Sequence, residues 1–301
     1  MIISKKYITE VKGNSKLSVN MIKKDLALSY ILQELDFENL VFKGGTLLSK
    51  GHLNYHRLSE DLDFTYLMPE FDSKTKKIKF IKEFVKIKFI PKLLEIAQKY
   101  GFDFENDIES NSSNRYCPVK QSDFLFRFNI YLSKEEINPI KIEINFLDKC
   151  IFVPKIVKIR HLNSQSKNLV YPLKDISILS YSIEEIILEK IRAILTRDKI
   201  HERDFFDLFL INKEFEGVFE FEAENLFQKL KDSRLFQIDK KKFFDLVDSF
   251  ENRFNFISNF LFSEIEEMVL IEFNRKDYER FVLNLYEKIL SLNFNCSNRL
   301  K

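Results

Sequence analysis

Lys43-Gly44-Gly45-Thr46 is followed, ten residues on, by Arg57-Leu58-Ser59-Glu60-Asp61-Leu62-Asp63-Phe64. The apolar run Leu40-Val41-Phe42 ahead of the glycines predicts a strand that Gly44-Gly45 breaks, with Thr46 capping a short helix through Ser49. Two glycines after a strand let the backbone approach a phosphate, and the N–H groups of the following helix start form an anion cradle. Asp61 and Asp63 alternate with Leu62 and Phe64. On a strand both carboxylates then point the same way and can share one hard divalent cation, which prefers oxygen ligands and bridges protein to substrate phosphates. Ser59, just ahead of the pair, is placed to hold a phosphate oxygen.

Around this nucleus the periodicity predicts a mixed α/β region and then a helical one. Met21, Leu28, Ile31, Leu32 and Leu35 mark an amphipathic helix over roughly 18–36. Ile78, Ile81, Val85 and Phe89 mark another, which Pro91 interrupts or restarts on the way to Gly101. From about 102 to 160 the period is two. Phe124, Phe126, Phe128 and Ile130 form one run, Ile142, Ile144 and Phe146 another, and Asn138-Pro139 makes a hairpin-like connection between them. Glu143 lies on the polar side of the second run, where a carboxylate completes a metal site or accepts the proton of an attacking hydroxyl. A third extended segment, 151–162, carries Lys155, Lys158, Arg160 and His161. These suit either backbone phosphates of a nucleic acid or a charged edge strand that discourages aggregation.

Beyond about 175 the chain reads as wholly helical, with segments at 182–197, 201–213, 221–232, 239–273 and 276–292. Ser182 and Glu185 have capping-box spacing. Lys190 and Arg197 are seven apart on one helical face, suited to β- and γ-phosphates or to a solvated surface. In Arg203-Asp204-Phe205-Phe206-Asp207, Arg203 and Asp207 also permit a simple i,i+4 salt bridge. The expected division is 1–175 as an α/β domain and 176–301 as a helical bundle.

With 45% hydrophobic and 31% charged residues among 301, the chain is folded rather than disordered. The 32 Phe in the absence of Trp fill cores, although Phe254, Phe256, Phe260 and Phe262 are too dense for one buried face. A net charge of +2 excludes a surface that is basic overall, so nucleic-acid contact requires a local patch. Cys117, Cys150 and Cys296 have neither zinc nor disulfide-framework spacing. No secretory h-region or membrane-length apolar run is present, so a cytoplasmic protein is expected.

Together the motifs resemble the AbiEii-type nucleotidyltransferase toxins of bacterial toxin–antitoxin and phage-defence systems, within the polymerase-β superfamily. The resemblance rests on K-G-G-T-L-L (43–48), R-L-S-E-D-L-D-F (57–64), S-I-E-E-I-I-L-E-K-I-R-A-I-L-T-R (182–197) and R-D-F-F-D-L (203–208), and spans roughly 40–210. It implies an α+β fold: a polymerase-β-type nucleotidyltransferase domain with a mixed sheet, followed by an all-helical domain contributing Lys190 and Asp207 to the site. It implies Mg2+ or Mn2+ on Asp61 and Asp63, with Glu143 as third ligand in place of the family's usual Asp. Lys43, Gly44, Gly45, Thr46, Arg57, Ser59, Lys190 and Arg197 handle the nucleotide in this reading, and Asp207 is the late catalytic acid. The implied partners are an NTP, an RNA acceptor (tRNA in the well-studied relatives) and a separate antitoxin protein. The residues leave open transfer to a protein or small-molecule hydroxyl, and a nucleotide-binding or interaction module without turnover.

Overall fold

The computed structural model describes residues 5–13, 17–105, 116, 124–162, 175–215, 220–258, 265 and 269–292, the side chains of 256–258 excepted. The chain divides into two compact units that exchange segments. The first comprises 1–51, 58–147 and 156–180, and the second 52–57, 148–155 and 181–301.

Among the described residues the first unit is built on a mixed sheet of six strands: β1 (Leu40–Lys43), β2 (Asp61–Tyr66), β3 (Leu125–Ile130), β4 (Ile140–Asn145), β5 (Lys155–Ile159) and β6 (Ile176–Ser180). Their spatial order is β3-β4-β2-β1-β6-β5. β2 runs antiparallel to β1 and parallel to β4, β3 is antiparallel to β4, and β6 is parallel to β1. The register explains the alternating sequence. Phe42, Phe64, Ile144 and Phe126 are successive partners across four strands, and Leu62, Ile142 and Phe128 make a second such row. Directly opposed residues share a face. One face of the sheet is therefore apolar, and its aliphatic members are fully buried. The other face carries Lys43, Asp61, Asp63, Lys141, Glu143 and Arg127.

Helices α1 (Lys5–Gly13), α2 (Val19–Leu32), α3 (Gly44–Leu47), α4 (Lys74–Glu83) and α5 (Ile90–Tyr100) complete this unit. Ser18 caps α2, its side chain accepting from the Met21 N–H. Between α4 and α5 the helix widens into a π segment over Phe84–Phe89. A π turn brings residues five apart into line. Phe84 and Phe89 both turn to the sheet, Phe84 against Tyr66 and Phe146, Phe89 against Phe128. Pro91 falls in the first turn of α5, so the helix restarts at the proline after the π segment, as expected.

The second unit holds α6 (Ile183–Thr196), α7 (Glu202–Glu214), α8 (Ala223–Lys231), α9 (Arg234–Ile238), α10 (Lys240–Asp248), α11 (Phe250–Ser258) and α12 (Arg275–Ser291). Phe206, Phe209, Phe273, Tyr278 and Phe281 pack edge to face or tilted around α7 and α12. Phe254 stacks on Tyr286 with ring centroids 4.0 Å apart.

The sequence expectations need several corrections. Residues 176–180 form a strand, although everything past 175 was expected to be helical; Ile176, Ile178 and Ser180 alternate inward along it. The predicted 239–273 helix breaks at Ser249, and Val269 bridges Arg57 instead of continuing a helix. Thr46 lies inside α3, which starts after Lys43. Ser182 does cap α6, but Glu185 does not reach back to it. Its carboxylate instead accepts the N–H groups of Ile151 and Phe152, both at 2.8 Å, and the Lys229 ammonium at 2.6 Å. Phe260, Phe262, Cys117, Cys296 and the Phe256 side chain lie outside the described residues.

Lys229 and Glu185 are both fully buried. Lys229 also donates to the Lys149 carbonyl at 2.9 Å, so the pair ties 148–155 to α6 and α8. Removing one member strands the other charge in a dry interior. Lys229→Met is expected to cost about 3 kcal/mol in urea unfolding, and Lys229→Met with Glu185→Leu less than the sum of the two single changes.

Candidate active site

The polar face of the sheet is organised by register. Lys43 opposes Asp63, Asp63 opposes Glu143, and Glu143 opposes Arg127. Four strands thus contribute one transverse row with the charge order plus, minus, minus, plus. Asp61, two residues along β2, opposes Lys141. Asp61 and Asp63 are half-buried while Leu62 between them is fully buried, as the expected alternation requires.

Gly44 fixes how closely the backbone meets this row. It adopts φ +82°, and a Cβ there would stand 2.3 Å from one carboxylate oxygen of Asp63 and 3.0 Å from its Cβ. Only glycine fits both that conformation and that space. Thr46, expected to handle triphosphate, is almost fully buried, and its hydroxyl donates to the Asp61 carbonyl at 2.6 Å. It pins α3 to β2 and so positions Asp61 from behind. Gly45 and Ser59 are half-buried and border the pair in sequence. Lys43 is buried.

The structure brings Asp61, Asp63 and Glu143 to one face of adjacent strands, but not into one three-carboxylate group. Among the described residues no three His, Cys, Asp or Glu side chains gather into a set that would hold a metal. Glu143 is engaged elsewhere: one of its oxygens accepts from Arg127 Nε at 2.5 Å. Asp61 and Asp63 themselves fit a divalent cation. They offer same-face oxygen donors, and the space beside Asp63 is one that any side chain at 44 would fill.

The second unit contains a buried charge network. Asp207 is fully buried on α7 and receives Arg57 as a two-point fork, Nε and one terminal nitrogen each at 2.7 Å. It also takes the His56 ring at 3.0 Å and the Lys190 ammonium at 2.6 Å. Lys190 bonds Asp204 at 2.7 Å as well, and Arg197 reaches the other Asp204 oxygen. Lys190 is buried, which excludes the solvated-face reading, and Asp207 pairs with Arg57 rather than with Arg203. Burial disfavours the charged form of Asp207, but Arg57 and Lys190 outweigh it and hold the carboxyl well below its ordinary range. Asp204 is lowered likewise, with burial opposed by Lys190 and Arg197.

Sequence reasoning named Lys190, Arg197, Asp207 and Arg57 but missed His56 and Arg127. The counterpart of Arg127 was in view, since a hairpin through Asn138-Pro139 fixes which residue opposes Glu143. His56 gave no signal beyond adjacency to Arg57. In the basic segment, Lys155 and Lys158 are exposed on β5, while His161 turns inward to the Ser29 hydroxyl at 3.2 Å.

The polar face of the mixed sheet thus carries a strand-borne Asp-x-Asp with a glycine turn against it. The family description "Nucleotidyl transferase AbiEii toxin, Type IV TA system" matches residues 26–294, and the chain belongs to that family. It is accordingly a nucleotidyltransferase, and the family implies an NTP substrate and an antitoxin partner. Among solved structures, MenT4, a nucleotidyltransferase toxin from Mycobacterium tuberculosis, is similar at 15% identity, 94% of this chain and 99% of its own, with a TM-score of 0.51. That likeness concerns the fold. JHP933 from Helicobacter pylori aligns over 95% of this chain and all of its own at 21% identity and a TM-score of 0.47. No curated protein matches significantly. Among the described residues no helix is long and apolar enough to cross a membrane.

Two outcomes follow from these contacts. Gly44→Ala forces Asp63 aside, and nucleotidyl transfer is expected to fall about a hundredfold with circular dichroism nearly unchanged. Asp207→Asn leaves Arg57 and Lys190 buried without their shared anion and is expected to cost about 3–5 kcal/mol at pH 7. Because the folded carboxyl is depressed, this contribution is complete above its unfolded value, about pH 4, and is lost as pH falls further. Urea midpoints of wild type and variant should therefore draw together as pH falls below about 4.

Proposed function

We propose that the protein uses a divalent cation, Mg2+ or Mn2+, held by Asp61 and Asp63 to transfer a nucleoside monophosphate from an NTP to RNA, with tRNA as the acceptor, and that it acts as the toxin of a toxin–antitoxin pair in the cytoplasm. The observation that carries this reading is the same-face carboxylate pair with Gly44 pressed against Asp63. The acceptor hydroxyl attacks the α-phosphorus, the bond to the bridging oxygen breaks, and pyrophosphate leaves. The cation supplies Lewis acidity, lowering the hydroxyl's pKa and neutralising the triphosphate.

The chain's own groups do the rest. Asp61 and Asp63 fix the donor oxygens. The Gly44-Gly45 backbone offers a close approach for phosphate oxygens, and Ser59 adds a hydroxyl. Glu143, directly opposite Asp63, is placed to serve as third ligand or to accept the attacking proton. Thr46 positions Asp61 through its carbonyl. In the helical unit, Asp207 clamps Arg57, which lies four residues ahead of Asp61 on the chain, and Lys190 bridges Asp207 to Asp204. An RNA acceptor is supported by the exposed Lys155 and Lys158, which suit backbone phosphates.

The test is label transfer from each α-labelled NTP, with Mg2+ and total RNA. Label is expected on tRNA-sized RNA. The Asp61→Ala and Asp63→Ala variants should lose at least about a thousandfold while keeping the fold, because both donors of one site are required. Label on a protein or small molecule instead would change the acceptor, and full activity in both variants would remove the reading.

A further inference from the structure

Arg127 takes part in no step described above, yet it ends the charged row of the sheet. Asp63 and Glu143 are directly opposed on β2 and β4 and share a face. Like charges so placed repel, and each needs a counter-charge. Lys43 opposes Asp63 from one side and Arg127 opposes Glu143 from the other. The Arg127 guanidinium donates to Glu143 at 2.5 Å, occupying an oxygen that an oxygen-seeking cation would need.

Two features make this contact exchangeable rather than fixed. The side chains of Arg127 and Glu143 are 44% and 26% exposed, and ion pairs open to water are weak. β3, which carries Arg127, is an end strand of the sheet among the described residues, so β4 is the one named strand beside it.

We propose that Arg127 is a positioning residue that competes with the divalent cation for the Glu143 carboxylate, so that Glu143 joins Asp61 and Asp63 only as the cation displaces the guanidinium. This rests on the metal-dependent reading above. It makes Arg127 a brake on metal affinity: the row is balanced by a protein cation, and a bound metal replaces that balance.

The test is Mn2+ binding to the full chain, read as loss of the free-ion electron paramagnetic resonance signal. Wild type, Arg127→Gln, Glu143→Gln, Arg127→Gln/Glu143→Gln and Asp61→Asn/Asp63→Asn are compared, with circular dichroism confirming the fold. Arg127→Gln is expected to bind Mn2+ roughly tenfold more tightly than wild type, since one charge-assisted competitor is gone. The same change in the Glu143→Gln background should bring no gain. Damage to the fold would weaken binding, so tighter binding cannot arise from a merely structural role. Unchanged or weaker binding in Arg127→Gln overturns the proposal, as does a gain that persists without Glu143, which would reflect net charge alone. Equal binding by wild type and Asp61→Asn/Asp63→Asn would overturn the metal site itself, and the proposal with it.

Discussion

The approach of Gly44 to Asp63 is the constraint on which the polar face of the sheet depends. A strand has to end, reverse into a helix and pass within van der Waals distance of a carboxylate on its neighbour. Those demands meet at one residue with φ +82° and no room for a Cβ. Thr46 then closes the arrangement from the other side through the Asp61 carbonyl. The two aspartates are thereby located by main-chain geometry, before any substrate contributes energy. A site located in this way loses little by reorganising as charge develops, which is why preorganised groups act strongly on a transition state.

Burial determines what the remaining charges do. Arg127 and Glu143 at the end of the sheet row are partly exposed, so their ion pair is weak. Asp207 and its partners are sealed, so each bond there is strong, and each missing partner leaves an uncompensated charge. The same residue types therefore serve opposite ends. Arg127 on Glu143 is a contact open to water, and Arg57 on Asp207 is a sealed clamp. The clamp has a topological consequence, because Arg57 belongs to the helical unit while Asp61, four residues later, begins a strand of the other. Holding Arg57 removes freedom from the short stretch that leads into the aspartates.

Much of the sheet was legible because period-two alternation is a direct image of its two faces. Leu62 and Phe64 against Asp61 and Asp63, and Ile142 and Ile144 against Glu143, needed only the rule that successive residues face opposite ways. Helix α2 was legible from its apolar spacing and α6 from its Ser182 cap. Strand β6 was not, because five residues ahead of a strong helix look like its approach, and only pairing with β1 makes them a strand. The π segment was invisible for a similar reason: Phe84 and Phe89 both seek the sheet, a tertiary demand absent from any local pattern. Glu185 misled through a valid local signal, since capping-box spacing is equally the spacing of a glutamate that a tertiary lysine claims.

The site residues divide along the same line. Residues whose placement follows from neighbours in sequence, Gly44, Asp61 and Asp63, could be placed from the chain alone. Residues whose roles depend on long-range partners changed meaning once those partners appeared. Thr46 became a support for Asp61, Lys190 a buried bridge between two aspartates, and Glu143 the partner of a strand-borne arginine. The register of β3, β4 and β2 alone converts Glu143 from an isolated acid on a polar face into the centre of a charged row. Had the hairpin through Asn138-Pro139 been one residue longer or shorter, Arg127 would face away from Glu143, because a one-residue slip exchanges the faces of a strand. The chemistry open to Glu143 thus depends on a loop length as much as on its own carboxylate.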